Sequence, residues 1–583
     1  MKKITVLLAV MISALLNAQE IDSRIEHILK EKLRPVKVEL PTESDQSNKT
    51  TSNQEHKLST ISSSSVDEAE GFIAMNPNDS SIMVLSYMSS GAGGLAFPVY
   101  YTTNGGATWT KSSFNSKAQI SSDFSGTPTI VGGGDPVFAY DDSGKLYFSY
   151  IYLIYDAQAG VAYFAMYWAT SMDNGQTFTY ENGQNHFIGY GGLNPLNGTI
   201  VDSVGDGVLD RQWMAVDNTG GTYDGRLYTT GLFIPNGSTQ LNGNGMIIKY
   251  KDANDSAFST SQTQVSVGQN AQFGNVVVAS NGDVHVTYVN FQTDRLYHRR
   301  STNGGQTFAA QTQVYDGYAL FGQNQIVVHS RENAAPNLVI GPDNTLHLAW
   351  CDIINDTVHG FYSRSTDDGT TWSQPIELSN YLAGEKDNLM PHVAVDKHNN
   401  PSISWYGVDE NGLAMFYNVQ SQDGGLSFLP AATVSTVTTD FSNYGNNDFF
   451  GDYCNSVKLN CKTFTIWSDG RNNAGPKMYV ATVDHCASVG IAELTPLDSD
   501  VELVNYYPNP VHDFVTLELK SSENQIVNAR IVDITGKLIL ENDKEVTIGN
   551  NTITLNLTAA SGTYLLEVTT ESGARIVRKL IVE

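Results

Sequence analysis

Short apolar segments alternate with turn residues along most of this chain. Runs of this length that are rich in β-branched and aromatic residues and bounded by Gly, Asn and Asp are typical of β-strands. Seven such runs each open a similar stretch of sequence: Gly71–Met75, Val137–Tyr140, Trp213–Val216, Val276–Ala279, Asn337–Ile340, His392–Val395 and Tyr453–Leu459. The pattern therefore predicts an all-β fold made of seven similar units, each of about four strands.

Five of the units share one turn motif, Ser/Thr-x-Asp/Asn-x-Gly-x-Thr/Ser-aromatic. The copies are Thr102–Trp109, Ser171–Phe178, Ser301–Phe308, Ser365–Trp372 and Ser421–Phe428. Asp and Asn fold their side chains onto nearby backbone N–H groups, and Gly adopts positive φ without steric cost. The unit between the second and third copies keeps only the aromatic residue, at Lys251–Phe258.

The five copies resemble the Asp-box, or BNR repeat, of sialidase-like β-propellers. In that family the boxes are turns that hold strands together, and they are not catalytic. The resemblance implies an Asp-box β-propeller over 66–490; familiar sialidases have six blades. The strand count of this chain predicts seven blades, with six as the alternative. The seventh unit has three strands and no box, and we expect a strand from the N-terminal side, around Leu58–Ile61, to close the ring.

The N-terminus has the pattern of a secretory signal peptide over 1–18. Two lysines precede a short apolar run, Ile4–Leu16, and we expect cleavage after Ala18. Residues 19–65 are predicted to be a helix followed by a linker rich in Ser, Thr and Asn. No later segment is apolar enough to span a bilayer, so the sequence predicts no transmembrane segment.

Residues 503–583 are predicted to be a separate module, a small β-sandwich. Four of its segments, in order, carry a family resemblance: Tyr507–Pro510, Val532–Lys537, Gly562–Leu566 and Arg578–Glu583. They resemble the type A C-terminal sorting domain of the type IX secretion system. The resemblance implies passage through the periplasm and outer membrane, followed by release or attachment at the cell surface, with the secretion machinery as a partner.

The chain is acidic, with a net charge of −27 over 583 residues. This charge disfavours nucleic acid and anionic membrane surfaces as partners. We expect an extracellular glycan or glycoprotein instead.

Four cysteines in an exported chain permit disulfides, with three possible pairings. Cys454 and Cys461 flank a short turn, and we predict that they form a bridge. The alternative is that the thiols are unpaired.

Candidate site residues gather on the face opposite the boxes, where first strands begin and second strands end. In order they include Asp135, Asp210, Arg211, Trp213, His392, Asp452, Tyr453, Trp467, Asp469 and Arg471. An arginine–carboxylate fork beside indole and phenol groups suits a sugar, because rings stack on aromatic faces and carboxylates accept hydroxyl hydrogen bonds.

From this set we predict catalytic roles for Asp452, Tyr453 and Asp210. Substrate-binding roles are predicted for Arg211, Trp213, Arg471, Asp469, Trp467 and His392. The alternative is that Asp210–Arg211 and Asp469–Arg471 are buried pairs that lock blades together, and that His392 is a hydrogen-bonded residue at a strand end.

Asp202, Asp206 and Asp210 stand at four-residue spacing and are candidate Ca2+ ligands, because Ca2+ favours clustered oxygen atoms. They lack the EF-hand loop pattern, and no other cofactor is predicted.

A classical exo-sialidase needs three arginines, a Tyr nucleophile paired with Glu, and an Asp acid/base. This chain has no arginine between Arg34 and Arg211, so the family's first arginine motif is missing. The sequence therefore predicts a secreted or cell-surface carbohydrate-active protein that is not a standard exo-sialidase. The first hypothesis for its function is a glycoside hydrolase or polysaccharide lyase-like enzyme. The alternative is a non-catalytic glycan- or protein-binding adhesion propeller.

Overall fold

A computed structural model describes residues 54–57 and 67–582. Within these bounds it omits 92–93, 125–127, 197, 206, 237–244, 269, 318–334, 356, 383–384, 444–448, 472–474, 486–500, 534–536 and 572–574. The fold is all-β, as predicted, and the chain divides into two compact units after Asp484. The signal peptide and most of 19–65 lie outside the described residues.

The described part of the first unit contains seven antiparallel sheets of four or five strands, and the chain enters it through β1 (Gln54–Lys57). Sheet 1 is β2 (Asp67–Met75), β3 (Met83–Gly91), β4 (Gly94–Ala96), β5 (Val99–Thr102) and β6 (Thr110–Lys111). Sheet 2 is β7 (Pro128–Tyr140), β8 (Leu146–Asp156), β9 (Val161–Ser171), β10 (Phe187–Leu193) and β11 (Ile200–Gly205). Sheet 3 is β12 (Gly207–Val216), β13 (Leu227–Pro235), β14 (Gly245–Lys251) and β15 (Thr263–Gln264).

The next three sheets follow the same order along the chain. Sheet 4 is β16 (Ala271–Val278), β17 (Val284–Asn290), β18 (Arg295–Ser301) and β19 (Thr312–Asp316). Sheet 5 is β20 (Asn337–Ile340), β21 (Leu346–Ile354), β22 (Thr357–Ser365) and β23 (Ile376–Glu377). Sheet 6 is β24 (Glu385–Val395), β25 (Pro401–Asp409), β26 (Leu413–Gln420), β27 (Ala432–Thr433) and β28 (Thr439–Asp440).

Sheet 7 combines the two ends of this unit. It contains β29 (Asn455–Leu459), β30 (Lys462–Asp469) and β31 (Lys477–Asp484), and β1 pairs with β31 as the fourth strand. The closing strand is thus Gln54–Lys57 and lies just upstream of the predicted Leu58–Ile61, which are outside the described residues. The first strands of successive sheets pack on one another, and β29 packs back on β2, so the sheets form a closed ring.

Helical structure is sparse among the described residues. It consists of one α-helical turn, α1 (Ile120–Asp123), and the 3₁₀ turns Gly183–His186, Leu378–Tyr381 and Phe441–Asn443.

The five repeated segments all form the same hydrogen-bonded turn, which follows β5, β9, β18, β22 and β26 in sheets 1, 2, 4, 5 and 6. In the last copy, Gly425 N–H donates to Ser421 Oγ (2.8 Å) and Ser427 N–H donates to Asp423 Oδ1 (2.9 Å). The same two bonds occur in the other four copies. Gly425 has φ +84, and a Cβ there would lie 2.0 Å from the Tyr362 hydroxyl of the preceding sheet. The lack of a side chain at Gly425 therefore lets this box pack against the preceding sheet.

The second unit has two sheets around one apolar core. One sheet is β32 (Val501–Tyr507), β33 (Phe514–Ser521) and β36 (Gly549–Asn556). The other is β34 (Gln525–Asp533), β35 (Leu538–Val546), β37 (Gly562–Thr569) and β38 (Arg575–Val582). Alternate residues of β33, Val515, Leu517 and Leu519, are buried in the core, which agrees with the period of two in the sequence.

Candidate functional site

The first strands of five sheets carry a β-bulge at the same place. At each bulge the register shifts and one non-glycine residue adopts positive φ: Glu70 (55°), Asp135 (58°), Arg211 (55°), Phe273 (57°) and Met390 (50°). Such residues avoid this region, and bulges often redirect side chains near functional sites. Five repetitions on the innermost strands make the centre of the ring the first candidate site.

Arg211 reaches across the ring to Asp452. Its Nη1 donates to Asp452 Oδ2 at 2.8 Å, although β12 belongs to sheet 3 and Asp452 precedes β29 of sheet 7. Glu70 Oε2 accepts a hydrogen bond from Asp135 N–H (2.9 Å), which links the bulges of sheets 1 and 2. We call Glu70, Asp135, Asp210, Arg211 and Asp452 the axial cluster.

Within the axial cluster, the Arg211 guanidinium lies among four acidic side chains. Burial lowers the pKa of Arg211, but Asp452, Asp210, Asp135 and Glu70 outweigh it and leave that pKa raised overall. The arginine is thus a permanent cation.

Aromatic rings line the same centre. Trp213 meets Phe72 of sheet 1 (5.3 Å between centroids) and Tyr453 of sheet 7 (5.6 Å), both edge-on. The Arg211 guanidinium lies 4.6 Å from the centroid of the Phe273 ring. The structure thus brings Arg211, Trp213, Asp452 and Tyr453 to one place, and their roles stay predictions.

Tyr453 is a buried, protonated phenol. Its pKa is raised well above the usual value by burial and by the nearby carboxylates of Glu70, Asp135 and Asp452. Its hydroxyl group donates to the carbonyl of Pro136 at 3.4 Å. This environment is the opposite of the one that activates a phenol as a nucleophile.

The axial cluster is closed to water. The exposed fraction is 0% for Asp210, 1% for Glu70 and Asp452, 3% for Asp135 and 7% for Arg211. A ligand can reach these groups only if surrounding connections move.

Asp469 and Arg471 form a second pair, away from Arg211. Arg471 Nε and Nη2 donate to the two oxygens of Asp469 (2.9 and 2.7 Å), and Trp467 Nε1 donates to Oδ2 (3.1 Å). The Arg471 guanidinium also lies 4.0 Å from the centre of the Tyr479 ring. This bidentate arrangement holds the end of β30 against β31.

His392 lies among residues that join successive first strands. Its Nε2 is 2.8 Å from Asn455 Nδ2, and the side-chain oxygen Oδ1 of Asn455 accepts a hydrogen bond from Ile73 N–H (3.1 Å). Asn275 and Asn337 make the equivalent links to Leu338 and Val393. Burial lowers the pKa of His392 to about 3, so the ring is neutral. This geometry matches the alternative reading of His392 as a hydrogen-bonded residue at a strand end.

The predicted calcium ligands are only partly described. Asp206 lies outside the described residues, and Asp210 belongs to the axial cluster. In the part of the chain that the structure describes, no group of three or more His, Cys, Asp or Glu side chains has a metal-binding arrangement. Ca2+ binding stays a prediction.

The predicted Cys454–Cys461 bridge is wrong. Cys454 is a buried thiol outside any disulfide, and its Sγ donates to the Met390 carbonyl at 3.1 Å; Cys351 forms no disulfide either. Cys461 is disulfide-bonded, so its partner is a different cysteine. The short spacing suggested a bridge, but the two cysteines lie at opposite ends of β29. Cys454 precedes this strand and packs in the core, whereas Cys461 belongs to the turn after it.

Sequence reasoning missed Glu70 and Phe273. Each stands two residues before the residue at which strand pairing resumes after the bulge, as Arg211 stands before Trp213. A prediction of the bulges would have been needed to find them.

Comparison with known proteins identifies the C-terminal unit. Residues 505–583 match the family described as the secretion system C-terminal sorting domain. No curated protein matches the chain. The module directs the protein through type IX secretion to the cell surface or extracellular space. Among the described residues, no helix is long and apolar enough to cross a membrane.

Solved structures resemble the chain only distantly. A Dyadobacter fermentans protein of unknown function is 12% identical, with a TM-score of 0.40 over 74% of this chain and 99% of its own. Polysaccharide lyase Uly1 is 10% identical, with a TM-score of 0.39 over 78% and 98%. The Hadza microbial sialidase Hz136 is 11% identical, with a TM-score of 0.37 over 71% and 75%. Similarities with such low identities and TM-scores do not establish an activity for this chain.

Proposed function

We propose that the first unit is a seven-bladed Asp-box propeller and an exported glycoside hydrolase whose site lies at the axial cluster. The observation that supports it is the set of strained bulges, which bring the acids Glu70 and Asp135 and the cation Arg211 to the ring axis. Backbone in this conformation costs free energy, and folds retain it mostly where a side chain must be aimed.

Paired carboxylates are the groups that glycoside hydrolysis uses as acid and as base or nucleophile. Asp452 and Asp210 are the candidates already predicted, and Glu70 and Asp135 extend the set. Trp213 supplies an aromatic face for a sugar ring. Tyr453 serves as a wall and not as a nucleophile, because its phenol is buried and protonated.

The test is a degradation screen of the exported protein on neutral, amino and acidic polysaccharides. Release of saturated reducing ends from any of these glycans supports the proposal. Unsaturated uronate products would instead identify a lyase. If no product is released from any substrate, the hypothesis that the protein is an enzyme is wrong.

A second candidate function is a non-catalytic adhesion or glycan-binding propeller. The observation that favours it is the burial of all five axial residues, which suits a lock between opposite sheets. Glycan binding without turnover, unchanged by Asp452→Asn, would favour this candidate.

A further inference from the structure

The seam between sheets 7 and 1 is the place where the ring closes. Every other pair of neighbouring sheets is joined by one connection from an outer strand to the next first strand. At this seam the outer strand is β1, and the connection runs from β1 to β2. The N-terminal segment therefore has the position that an outer strand has in the other sheets.

The pairing of β1 is regular over its whole length. Gln54, Glu55, His56 and Lys57 pair antiparallel with Thr482, Ala481, Val480 and Tyr479 of β31. Without β1, the backbone N–H and C=O groups along that side of β31 would form an open edge.

Side-chain contacts elsewhere along the seam are substantial. Ile73 and Leu85 of sheet 1 share an apolar core with Phe464, Ile466 and Val480 of sheet 7. Met478 N–H donates to Glu68 Oε2 (2.8 Å), and Glu68 N–H donates to the Pro476 carbonyl (2.9 Å). These contacts join sheet 7 to sheet 1 without β1, so loss of β1 removes one outer strand and leaves the other contacts of the seam.

We infer that Gln54–Lys57 is a closing strap that the mature exported protein keeps, and that N-terminal processing stops upstream of Gln54. Removal of all of 19–65 would take the fourth strand from sheet 7 and remove the connection from β1 to β2 across this seam. The inference is independent of the proposed glycosidase activity.

The first test is the N-terminus of the exported protein, read by intact mass and N-terminal sequencing. We expect an N-terminus at or before residue 54. A stable exported protein that begins after Lys57 would overturn the inference.

The second test removes 19–57 from the full chain and measures the thermal midpoint. We expect a lower midpoint, which a synthetic peptide of residues 50–60 raises again in a concentration-dependent way. A control peptide with Glu55→Pro and His56→Pro should not raise the midpoint. Backbone N–H groups of adjacent residues in a strand point to opposite sides, so one of the two prolines removes an N–H group that faces β31. An unchanged midpoint after deletion, or equal rescue by both peptides, would contradict the strap.

The same two prolines in the full chain should also lower the midpoint. Thr50→Pro and Thr51→Pro, upstream of β1, are the matched control and should leave the thermal midpoint unchanged. Equal effects of the two pairs would count against a role specific to β1.

Discussion

At the scale of single residues, the Arg211–Asp452 pair carries the largest electrostatic consequence. Both side chains are almost fully buried and belong to sheets that are not neighbours. Loss of one partner leaves the other as a buried charge without this counter-ion, whereas replacement of both by apolar groups is often close to neutral.

Arg211→Met should therefore lower the free energy of unfolding by about 3–5 kcal/mol. The double variant with Asp452→Leu should lose clearly less than the sum of the two single losses. Chemical denaturation measures all three. Arg295→Met is the control, because the Arg295–Asp316 pair is exposed and its loss should not be measurable. Additive losses would show that the axial pair is not coupled.

The cysteines give a second prediction at this scale. Alkylation of the unfolded protein without reductant should label Cys351 and Cys454 and leave Cys461 unlabelled. Peptide mass mapping reads the result. The folded protein should not react at Cys454, because the thiol is buried and its pKa is raised by burial. A peptide linking Cys454 to Cys461 would contradict the structure.

At the scale of elements, the box turns show why the repeated motif was readable from sequence. Asp423 accepts hydrogen bonds from the N–H groups of Leu426 and Ser427 and from two hydroxyl groups, at Ser421 and Ser427. All partners lie within four residues, so the residue types alone determine the turn.

Asp423→Ala should cost about 1–2 kcal/mol of unfolding free energy, because it leaves two turn N–H groups without their acceptor. Leu426→Ala is the matched control in the same turn, since Leu426 is 65% exposed. Urea titration of both variants measures the difference. Equal stability of the two would argue that the carboxylate does not hold the turn.

The strands were predictable for the same local reason, and the bulges were not. All seven expected first strands overlap observed ones, because short β-branched runs between turn residues leave little choice. The register shifts at Glu70 and Arg211 depend on contacts across the ring, which no local pattern encodes. The prediction of the disulfide partner of Cys461 was wrong for the same reason, because cysteine pairing depends on contacts between residues far apart in the sequence.

At the scale of the whole molecule, buried neutral histidines should make stability depend on pH. Burial lowers the pKa of His285 and His347 to about 4 and that of His298 and His392 to about 3. In the unfolded chain the same rings bind protons below about pH 6.5. The folded state binds fewer protons in that window, so its stability falls as pH decreases.

The free energy of unfolding should therefore decline from about pH 6.5 towards pH 4, with each histidine approaching about 1.4 kcal/mol per pH unit. Denaturation at a series of pH values measures the slope. His347→Gln should be less stable at pH 7 but show a shallower decline, because one titrating ring is gone. A stability that is flat between pH 7 and pH 5 would contradict neutral burial.

The proposed enzyme is tested most directly by comparing turnover on the best substrate between the native protein, Asp452→Asn and Asp469→Asn. Both substitutions keep side-chain shape and remove one buried carboxylate that is paired with an arginine. Thermal midpoints show that each variant is folded. We predict that Asp452→Asn lowers kcat by about 100-fold or more and that Asp469→Asn retains most of the activity. Full activity in a folded Asp452→Asn protein, or equal losses in the two variants, would contradict a site at the axial cluster.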